Sequence, residues 1–278
     1  MRFELEFRGR RIARDRALIM GIINRTPDSF YDRGATFQLD HAKRAIDQRI
    51  HDGADIIDIG GVKAGEAGDY VSTDEEIDRV IPTVEWARQQ YPDLIISVDT
   101  WRHEVGQVAC EAGADLLNDT WAGADPELVR VAGEFGAGYV CSHTGGLAPR
   151  TDPHRPRYSD VVQDVITEVT TAAERAVNHG VPPRGVLIDP THDFGKNTWH
   201  SLELLRSTDR LVATGWPVLM ALSNKDFIGE SLGTDVDNRT EGTLAAIAIA
   251  AMAGAAVFRV HDVAMTHTTL TTVSRIYS

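Results

Sequence analysis

Polar and charged residues stand where short apolar runs of this sequence end. Arg259 and His261 alternate at the end of one run, so on a β-strand both side chains point to the same side. Lys225 ends another run, and a helix start follows Asp226. Arginine, lysine and the free N–H groups of a helix start all attract negative charge. These residues therefore predict a local binding site for an anion.

Carboxylates and an amide end three further runs, at Asp99, Asn118 and Asp189. Such groups match the hydrogen-bonding edges of a heterocycle. Together with the anion site they predict a pocket for a small ligand that has a donor-rich heterocyclic edge and an anionic tail. A second interpretation remains open, in which Asp99 or Asp189 forms a purely structural ion pair with Lys225. The other runs end at Asn24, Gly60 with Gly61, Asp119, His143 and Ser223.

The elements that must position these side chains alternate regularly along the chain. The apolar runs cover residues 17–24, 56–61, 95–100, 116–119, 139–143, 186–189, 218–223 and 256–261. Helical patterns cover residues 39–52, 73–91, 103–112, 126–135, 160–179, 201–214, 240–253 and 263–276. Strands that are apolar on both faces and are each followed by a helix predict an α/β fold, a closed (β/α)8 TIM barrel. An open doubly wound sheet is the alternative, but in a barrel the polar run ends would meet on one face.

The composition is that of a globular protein with an excess of acidic residues. The chain has 278 residues, with 28 Lys and Arg against 41 Asp and Glu, and its formal charge is −13. An acidic chain repels phosphate backbones, so binding to nucleic acid is not expected. The longest apolar stretch, residues 244–258, is shorter than the ~20 residues that cross a bilayer, and the amino terminus lacks the apolar core of a signal peptide.

No composition shift or linker divides the chain, so residues 1–278 are predicted to form a single domain. Cys110 and Cys141 form no CxxC pair. So few cysteines in a chain of this length indicate a reducing compartment. We therefore expect a cytoplasmic protein that does not associate with membranes.

Six motifs in this sequence resemble those of the dihydropteroate synthase family, in the same order and along nearly the whole chain. They are MGIINRTPDSFYD at 20–32, SVDT at 97–100, LND at 117–119, DPTHDFGK at 189–196, SNKDFIG at 223–229 and FRVHD at 258–262. The resemblance implies a homodimeric TIM barrel that binds 6-hydroxymethyl-7,8-dihydropterin pyrophosphate. In this family the pyrophosphate leaves and the amine of p-aminobenzoate captures the pterin cation.

The resemblance also implies roles for individual residues. The expected substrate-binding residues are Asn24, Asp99, Asn118, Asp189, Phe194, Ser223, Lys225, Asp226, Arg259 and His261. Of these, Asp99, Asn118, Asp189 and Lys225 would hold the pterin ring, and Asn24, Arg259 and His261 would hold the pyrophosphate. The resemblance assigns the catalytic role to Asp99, Lys225 and Arg259, and it places Mg²⁺ on Asn24 and the substrate pyrophosphate.

The sequence departs from the family in both mobile loops. The family's second loop reads GGESTRPG, whereas residues 60–67 read GGVKAGEA. Ala64 and Gly65 therefore replace the threonine and the arginine that stabilises the leaving pyrophosphate. Lys63 is a possible substitute for that cation, although it lacks the planar guanidinium fork. Arg25, where the family has a small residue, would either supply the missing charge or obstruct the second substrate.

The residues around the second substrate and the pterin also differ. The family's SRKS motif reads SNKD here, so Asp226 replaces the serine that accepts the carboxylate of p-aminobenzoate. Two unit charges about 4 Å apart repel by roughly 1 to 4 kcal/mol, which weakens binding by about fivefold to nearly a thousandfold. Alternatively, Asp226 simply caps the following helix. On the pterin side, Ala221 replaces a glycine, Ser142 replaces a methionine, and the family's DPGxGF loses both glycines.

These departures resemble those of a diverged second paralogue of the synthase. We expect a chain that binds pterin pyrophosphate but condenses it with p-aminobenzoate weakly or not at all, or that uses an uncharged or cationic amine. The alternative is an active synthase of folate biosynthesis, in which Arg25 and Lys63 have taken over the lost loop contacts. A third interpretation is a non-catalytic dimeric protein that binds a pterin or a protein partner, because a fold alone does not determine function.

Overall fold

A computed structural model describes residues 2–26, 38–63, 70–150 and 157–277. Its strands form a hairpin and a larger parallel sheet. The strands are β1 (Phe3–Phe7), β2 (Arg10–Arg14), β3 (Leu18–Asn24), β4 (Ile56–Gly60), β5 (Ile95–Asp99), β6 (Leu116–Asp119), β7 (Gly138–Ser142), β8 (Val186–Asp189), β9 (Leu219–Met220) and β10 (Val257–Val260). Strands β3 to β8 are neighbours in chain order, and β10 lies between β3 and β9.

The parallel sheet closes into a barrel. A parallel bridge joins Ile188 of β8 to Val218, which directly precedes β9, and the N–H of Ile188 donates to Pro217 O at 3.0 Å. The predicted (β/α)8 barrel is therefore confirmed, and the open doubly wound alternative is wrong because both of its edges would be unpaired.

Helices follow the barrel strands and cover them from outside. They are α1 (Leu39–His51), α2 (Thr73–Gln90), α3 (His103–Ala112), α4 (Leu128–Phe135), α5 (Val161–Asn178), α6 (Thr198–Arg206), α7 (Thr208–Val212), α8 (Asp226–Leu232), α9 (Thr240–Met252) and α10 (Val263–Ile276). The single helix predicted for residues 201–214 is wrong, because it breaks at Ser207, where the helical backbone hydrogen bonds of α6 end. Within the described ranges, no helix is long and apolar enough to span a membrane.

Alternation along each strand divides the apolar residues into two layers. One set, including Ile57, Ile96 and Phe258, packs against the helices. The other set, including Met20 and Ile56, fills the barrel interior together with residues of the β1–β2 hairpin. This hairpin covers the amino-terminal end of the barrel, so the residues at the carboxyl end of the strands are the ones left for a ligand.

The β1–β2 hairpin is absent from the sequence prediction. Its strands pair in register from Phe3 with Arg14 to Phe7 with Arg10. The turn residues Arg8 and Gly9 both have positive φ, at 48° and 75°, which is typical of a tight two-residue hairpin turn.

Candidate functional site

Arg259 lies at the centre of a polar cluster inside the carboxyl end of the barrel. It occupies β10, two residues after the inward-facing Val257, so its side chain also points inward. Its Nε donates to Asp58 Oδ2 and its Nη2 to Asp99 Oδ2, both at 2.7 Å. One guanidinium therefore bridges two carboxylates from neighbouring strands, which corrects the open interpretation that Asp99 pairs with Lys225.

The pKa values of Asp99 and Arg259 are both shifted in this arrangement. Burial, together with the nearby charge of Asp58, raises the pKa of Asp99 to about 7, although Arg259 opposes this shift. Burial alone would lower the pKa of Arg259, but the two carboxylates raise it above its ordinary value and keep the guanidinium charged. The remaining nitrogen, Nη1, donates to no other residue within the described ranges. Arg259 can therefore offer Nη1 to a ligand without releasing its carboxylates.

Asp58 extends this cluster to two neighbouring strands. Ser97 Oγ donates to Asp58 Oδ1 at 2.6 Å, and Asn118 Nδ2 lies 3.3 Å from Oδ2. The amide oxygen of Asn118 is buried and has no hydrogen-bond partner in the part of the chain that the structure describes. Because buried polar atoms are nearly always paired, this oxygen is a candidate acceptor for a ligand donor.

Lys225 and Phe194 form the opposite side of the mouth. Lys225 is the residue before α8, and its Nζ lies 4.6 Å from the centre of the Phe194 ring. Phe194 in turn contacts the buried ring of Trp121 edge to face, at a centroid distance of 5.3 Å. Burial lowers the pKa of Lys225, while the nearby Asp193 and Asp189 counteract this shift. The side chains of Lys225 and Phe194 thus present a cation and an aromatic face close together.

Asp189 is buried at the end of β8, and its Oδ1 accepts a hydrogen bond from the N–H of Thr191 at 2.7 Å. Burial raises the pKa of this carboxyl group, against the charge of Lys225. Thr191 and Asp193, which replace the two family glycines, have φ values of 51° and 71°. The glycine-like backbone is therefore retained although side chains have been added.

Asp226 does not cap α8, so the capping interpretation is wrong. Its side chain is 75% exposed and pairs with Arg239 Nη1 at 2.8 Å. The carboxylate of Asp193 accepts instead from the N–H groups of Asp226, at 2.6 Å, and of Phe227, at 3.3 Å. The two carboxylates beside Lys225 thus differ in role, because one is held inside the protein and the other is solvated.

His261 faces Ser223 on the neighbouring strand end. The backbone N–H of His261 donates to Ser223 Oγ at 3.3 Å, and the hydroxyl lies 3.0 Å from Nδ1. Either group can donate in this pair, because the roles of the hydroxyl and Nδ1 depend on the tautomer of the ring. Burial and the charge of Arg259 lower the pKa of His261 to about 3. His261 is thus a neutral imidazole rather than a second cation.

Asn24 ends β3 beside Gly60 and is half-buried. The side chain of the next residue, Arg25, is held by α2, because its Nε donates to Arg79 O at 2.9 Å. Burial and the charge of Arg79 lower the pKa of Arg25. Ala64 and Gly65 lie outside the described residues, whereas Lys63 lies within them.

Two of the polar run ends do not join the cluster. Asp119 accepts from the hydroxyl of Tyr139, and His143 Nε2 lies 3.1 Å from Asp164 Oδ2 on α5. Both occupy alternate positions to inward-facing residues of their strands, so they point toward the helices. The expectation that every run end faces the mouth is wrong for these two.

Asp58 of the cluster and Asp193 beside α8 are the main site residues that sequence analysis missed. Asp58 lies within an apolar run rather than at its end, in the pattern Ile-Ile-Asp-Ile-Gly. A carboxylate inside a strand, in alternation with isoleucines, is itself a signal of an inward polar contact. Asp193 lies in a loop, and no local pattern marks its contact with α8.

The comparisons with known proteins give consistent results. Residues 20–261 match the family model described as "Pterin binding enzyme". The chain is 60% identical over 272 residues to "Inactive dihydropteroate synthase 2" of Mycobacterium leprae, covering 96% of this chain and 93% of that protein. The solved structure of Mycobacterium tuberculosis Rv1207 is 50% identical, with a TM-score of 0.77 and coverage of 98% and 97%. A Xanthomonas albilineans dihydropteroate synthase, solved with 4-aminobenzoic acid, is 36% identical, with a TM-score of 0.90 and coverage of 100% and 99%.

Proposed function

The chain belongs to the pterin binding enzyme family, and we propose on this premise that it binds 6-hydroxymethyl-7,8-dihydropterin pyrophosphate at the barrel mouth. We further propose that condensation with p-aminobenzoate is weak or absent. The observation that carries the proposal is the convergence of Arg259 with Asp58, Asp99 and Asn118 in one polar cluster.

The heterocycle would be held by acceptors and a cation that the protein leaves available. Asn118 supplies a buried amide oxygen without a partner. Asp189 uses Oδ1 for the backbone of Thr191, which leaves Oδ2 for a ring N–H. Lys225 and Asp99 complete the proposed pterin contacts. Hydrogen-bond acceptors on one side and an ammonium group on the other suit a ring with amino, N–H and carbonyl groups.

The diphosphate would lie toward Arg259 and Asn24. Nη1 of Arg259 and a ring N–H of neutral His261 are the proposed donors, and charge-assisted hydrogen bonds from arginine suit phosphate oxygens. Asn24 offers a neutral amide oxygen, which belongs to the class of hard ligands that Mg²⁺ takes. One such donor fits an ion whose other ligands come from the diphosphate and water. Bound Mg²⁺ would neutralise charge on the leaving group.

Two observations support the loss of the classical second step. The Mycobacterium leprae relative carries the name of an inactive synthase at 60% identity. In addition, Asp193 and Asp226 place two carboxylates around Lys225 and the start of α8. An acidic second substrate approaching this side meets repulsion rather than a free anion site.

The test is a product assay with pterin pyrophosphate, Mg²⁺ and p-aminobenzoate. We expect no dihydropteroate above the enzyme-free blank, while the Xanthomonas albilineans synthase serves as the positive control. Turnover at an ordinary enzymatic rate would instead establish the alternative, a working synthase of folate biosynthesis. Absence of both turnover and pterin binding would favour a non-catalytic partner protein.

A homodimer and a cytoplasmic location complete the proposal. From Leu244 onward helix α9 is apolar all round, and its buried residues Ile247 and Ala250 face the barrel. On its other side Ile249 and Met252 are 52% and 53% exposed. A helix that is apolar on both sides normally has a partner on each, and a second copy of the chain would provide it.

A further inference from the structure

The loop after β8 and the start of α8 are joined through one carboxylate. Asp193 Oδ2 accepts from Asp226 N at 2.6 Å and Oδ1 from Phe227 N at 3.3 Å. Ser201 Oγ lies 3.2 Å from both Oδ1 and the backbone N–H of Asp193. The carboxylate is therefore fixed by contacts from two helices, α6 and α8.

The backbone of Asp193 shows that this placement has a cost. Its φ of 71° lies in the left-handed region, which glycine adopts freely and aspartate only at some expense. A glycine would fit this loop better, yet the carboxylate stays in place through its bonds to α8. The carboxylate thereby lies at the start of α8, close enough to Lys225 to act on its charge.

The two neighbouring carboxylates are not equivalent electrostatically. Asp226 is 75% exposed and paired with Arg239, so water and that guanidinium screen its charge. Asp193 is half-buried, and its ionic neighbour is Lys225, whose ring contact with Phe194 holds it at the mouth. A second carboxylate entering this space would compete with Asp193 for the same cation and the same N–H groups.

We propose that Asp193 is a specificity-determining residue of this site, which excludes carboxylate-bearing second substrates and leaves neutral or cationic aromatic amines as the accepted class. The inference rests on the proposed function, because it concerns the second substrate of the same barrel mouth. It shifts the main cause of the exclusion from Asp226, where the sequence suggested it, to Asp193.

The experiment compares two probes that differ by one charge, p-aminobenzoate and p-aminobenzamide. Their dissociation constants are measured by calorimetry, in the presence of pyrophosphate and Mg²⁺, for the wild type, Asp193→Asn, Asp193→Gly and Asp226→Ser. Asp209→Asn on α7 is the control, because it removes one exposed negative charge elsewhere. Thermal melts establish that each variant is folded.

Removing the charge of Asp193 is expected to improve p-aminobenzoate binding by about fivefold to a thousandfold, the range for two charges about 4 Å apart. Binding of p-aminobenzamide should change little, and Asp226→Ser and Asp209→Asn should shift the acid more weakly. The proposal also predicts that the wild type prefers the amide. It is overturned if folded Asp193→Asn and Asp193→Gly still bind no p-aminobenzoate, if Asp226→Ser gives the larger gain, or if the wild type binds both probes equally.

A separate titration with pterin pyrophosphate on the same proteins distinguishes a failure of the proposed function from a failure of the role proposed for Asp193. Loss of pterin binding in the wild type contradicts the proposed function. An unchanged ratio of acid to amide affinity contradicts only the role of Asp193.

Discussion

Asp99→Asn tests whether burial and the neighbouring Asp58 keep the pKa of Asp99 raised although Arg259 pairs with both carboxylates. Burial and the charge of Asp58 raise the pKa of Asp99 from 3.8 to about 7. Between these pH values the folded chain holds a proton that the unfolded chain has lost, so this group makes stability fall as pH rises. Asparagine has the same shape and cannot titrate, so the variant should lack this contribution.

The size of the effect follows from the shift. One pKa unit corresponds to about 1.4 kcal/mol, so the full window is worth about 4 kcal/mol, of which about 2 kcal/mol falls between pH 5.5 and 8. Burial lowers the pKa values of His192 and His261 to about 3. These two groups therefore make stability fall as the pH drops below their ordinary pKa of 6.5, which is opposite to the effect of Asp99. Their contributions are the same in both proteins and cancel in the comparison.

The assay is urea unfolding, followed by tryptophan fluorescence, of wild type and Asp99→Asn at both pH values. The free energy of unfolding of the variant relative to wild type should improve by about 2 kcal/mol from pH 5.5 to pH 8. Asp209→Asn, an exposed carboxylate, should show no such change. Parallel pH profiles for Asp99→Asn and wild type would refute the raised pKa of Asp99 beside Arg259.

Two further outcomes concern stability and assembly. Asp115 is fully buried between Arg10 and Arg88, so Asp115→Ala should destabilise the fold by about 3–5 kcal/mol, measured as a lower urea midpoint; an unchanged midpoint would contradict this. Ile249→Lys on the exposed side of α9 should convert a homodimer into monomers, as measured by light scattering. Tyr70→Lys, at an exposed residue outside α9, should leave the dimer intact. A monomeric wild type would contradict the dimer.

The barrel was predictable because its signals are local and repeated. Each strand is a short apolar run, and glycines such as Gly113 and Gly136 end helices in the left-handed conformation, as their positions predict. The β1–β2 hairpin was missed because its charged, alternating residues resemble a polar terminus. The hairpin makes a long-range contact, because Leu5 and Phe7 pack against the residues of the barrel interior. No local sequence pattern reveals this contact.

The sequence predicts most residues of the candidate site, but it does not predict which of them pair with one another. Positions at the ends of strands indicate Asp99, Asn118 and Arg259 as site residues, since parallel strands bring their carboxyl ends together. Which carboxylate the arginine contacts depends on register and on which face each strand position occupies. Asp58 enters the cluster for that reason, since it lies level with Ser97 on the neighbouring strand.

The exchange of roles between Asp193 and Asp226 shows the same limit. The sequence places an acid at the first residue of α8, which ordinarily suggests helix capping. The structure assigns the N–H groups to a residue thirty-three positions earlier. Only the fold of the loop after β8, with its left-handed Thr191 and Asp193, brings that carboxylate within reach.

The most direct measurement is a calorimetric titration of pterin pyrophosphate with Mg²⁺ into wild type and Asp189→Asn. Saturable binding at one site per chain is predicted for the wild type. Affinity should fall about tenfold or more in the variant, since a hydrogen bond to a charged group is worth about 1.5–3 kcal/mol. No heat with the wild type, or equal affinity for both proteins, would contradict a pterin diphosphate site at the mouth of this barrel.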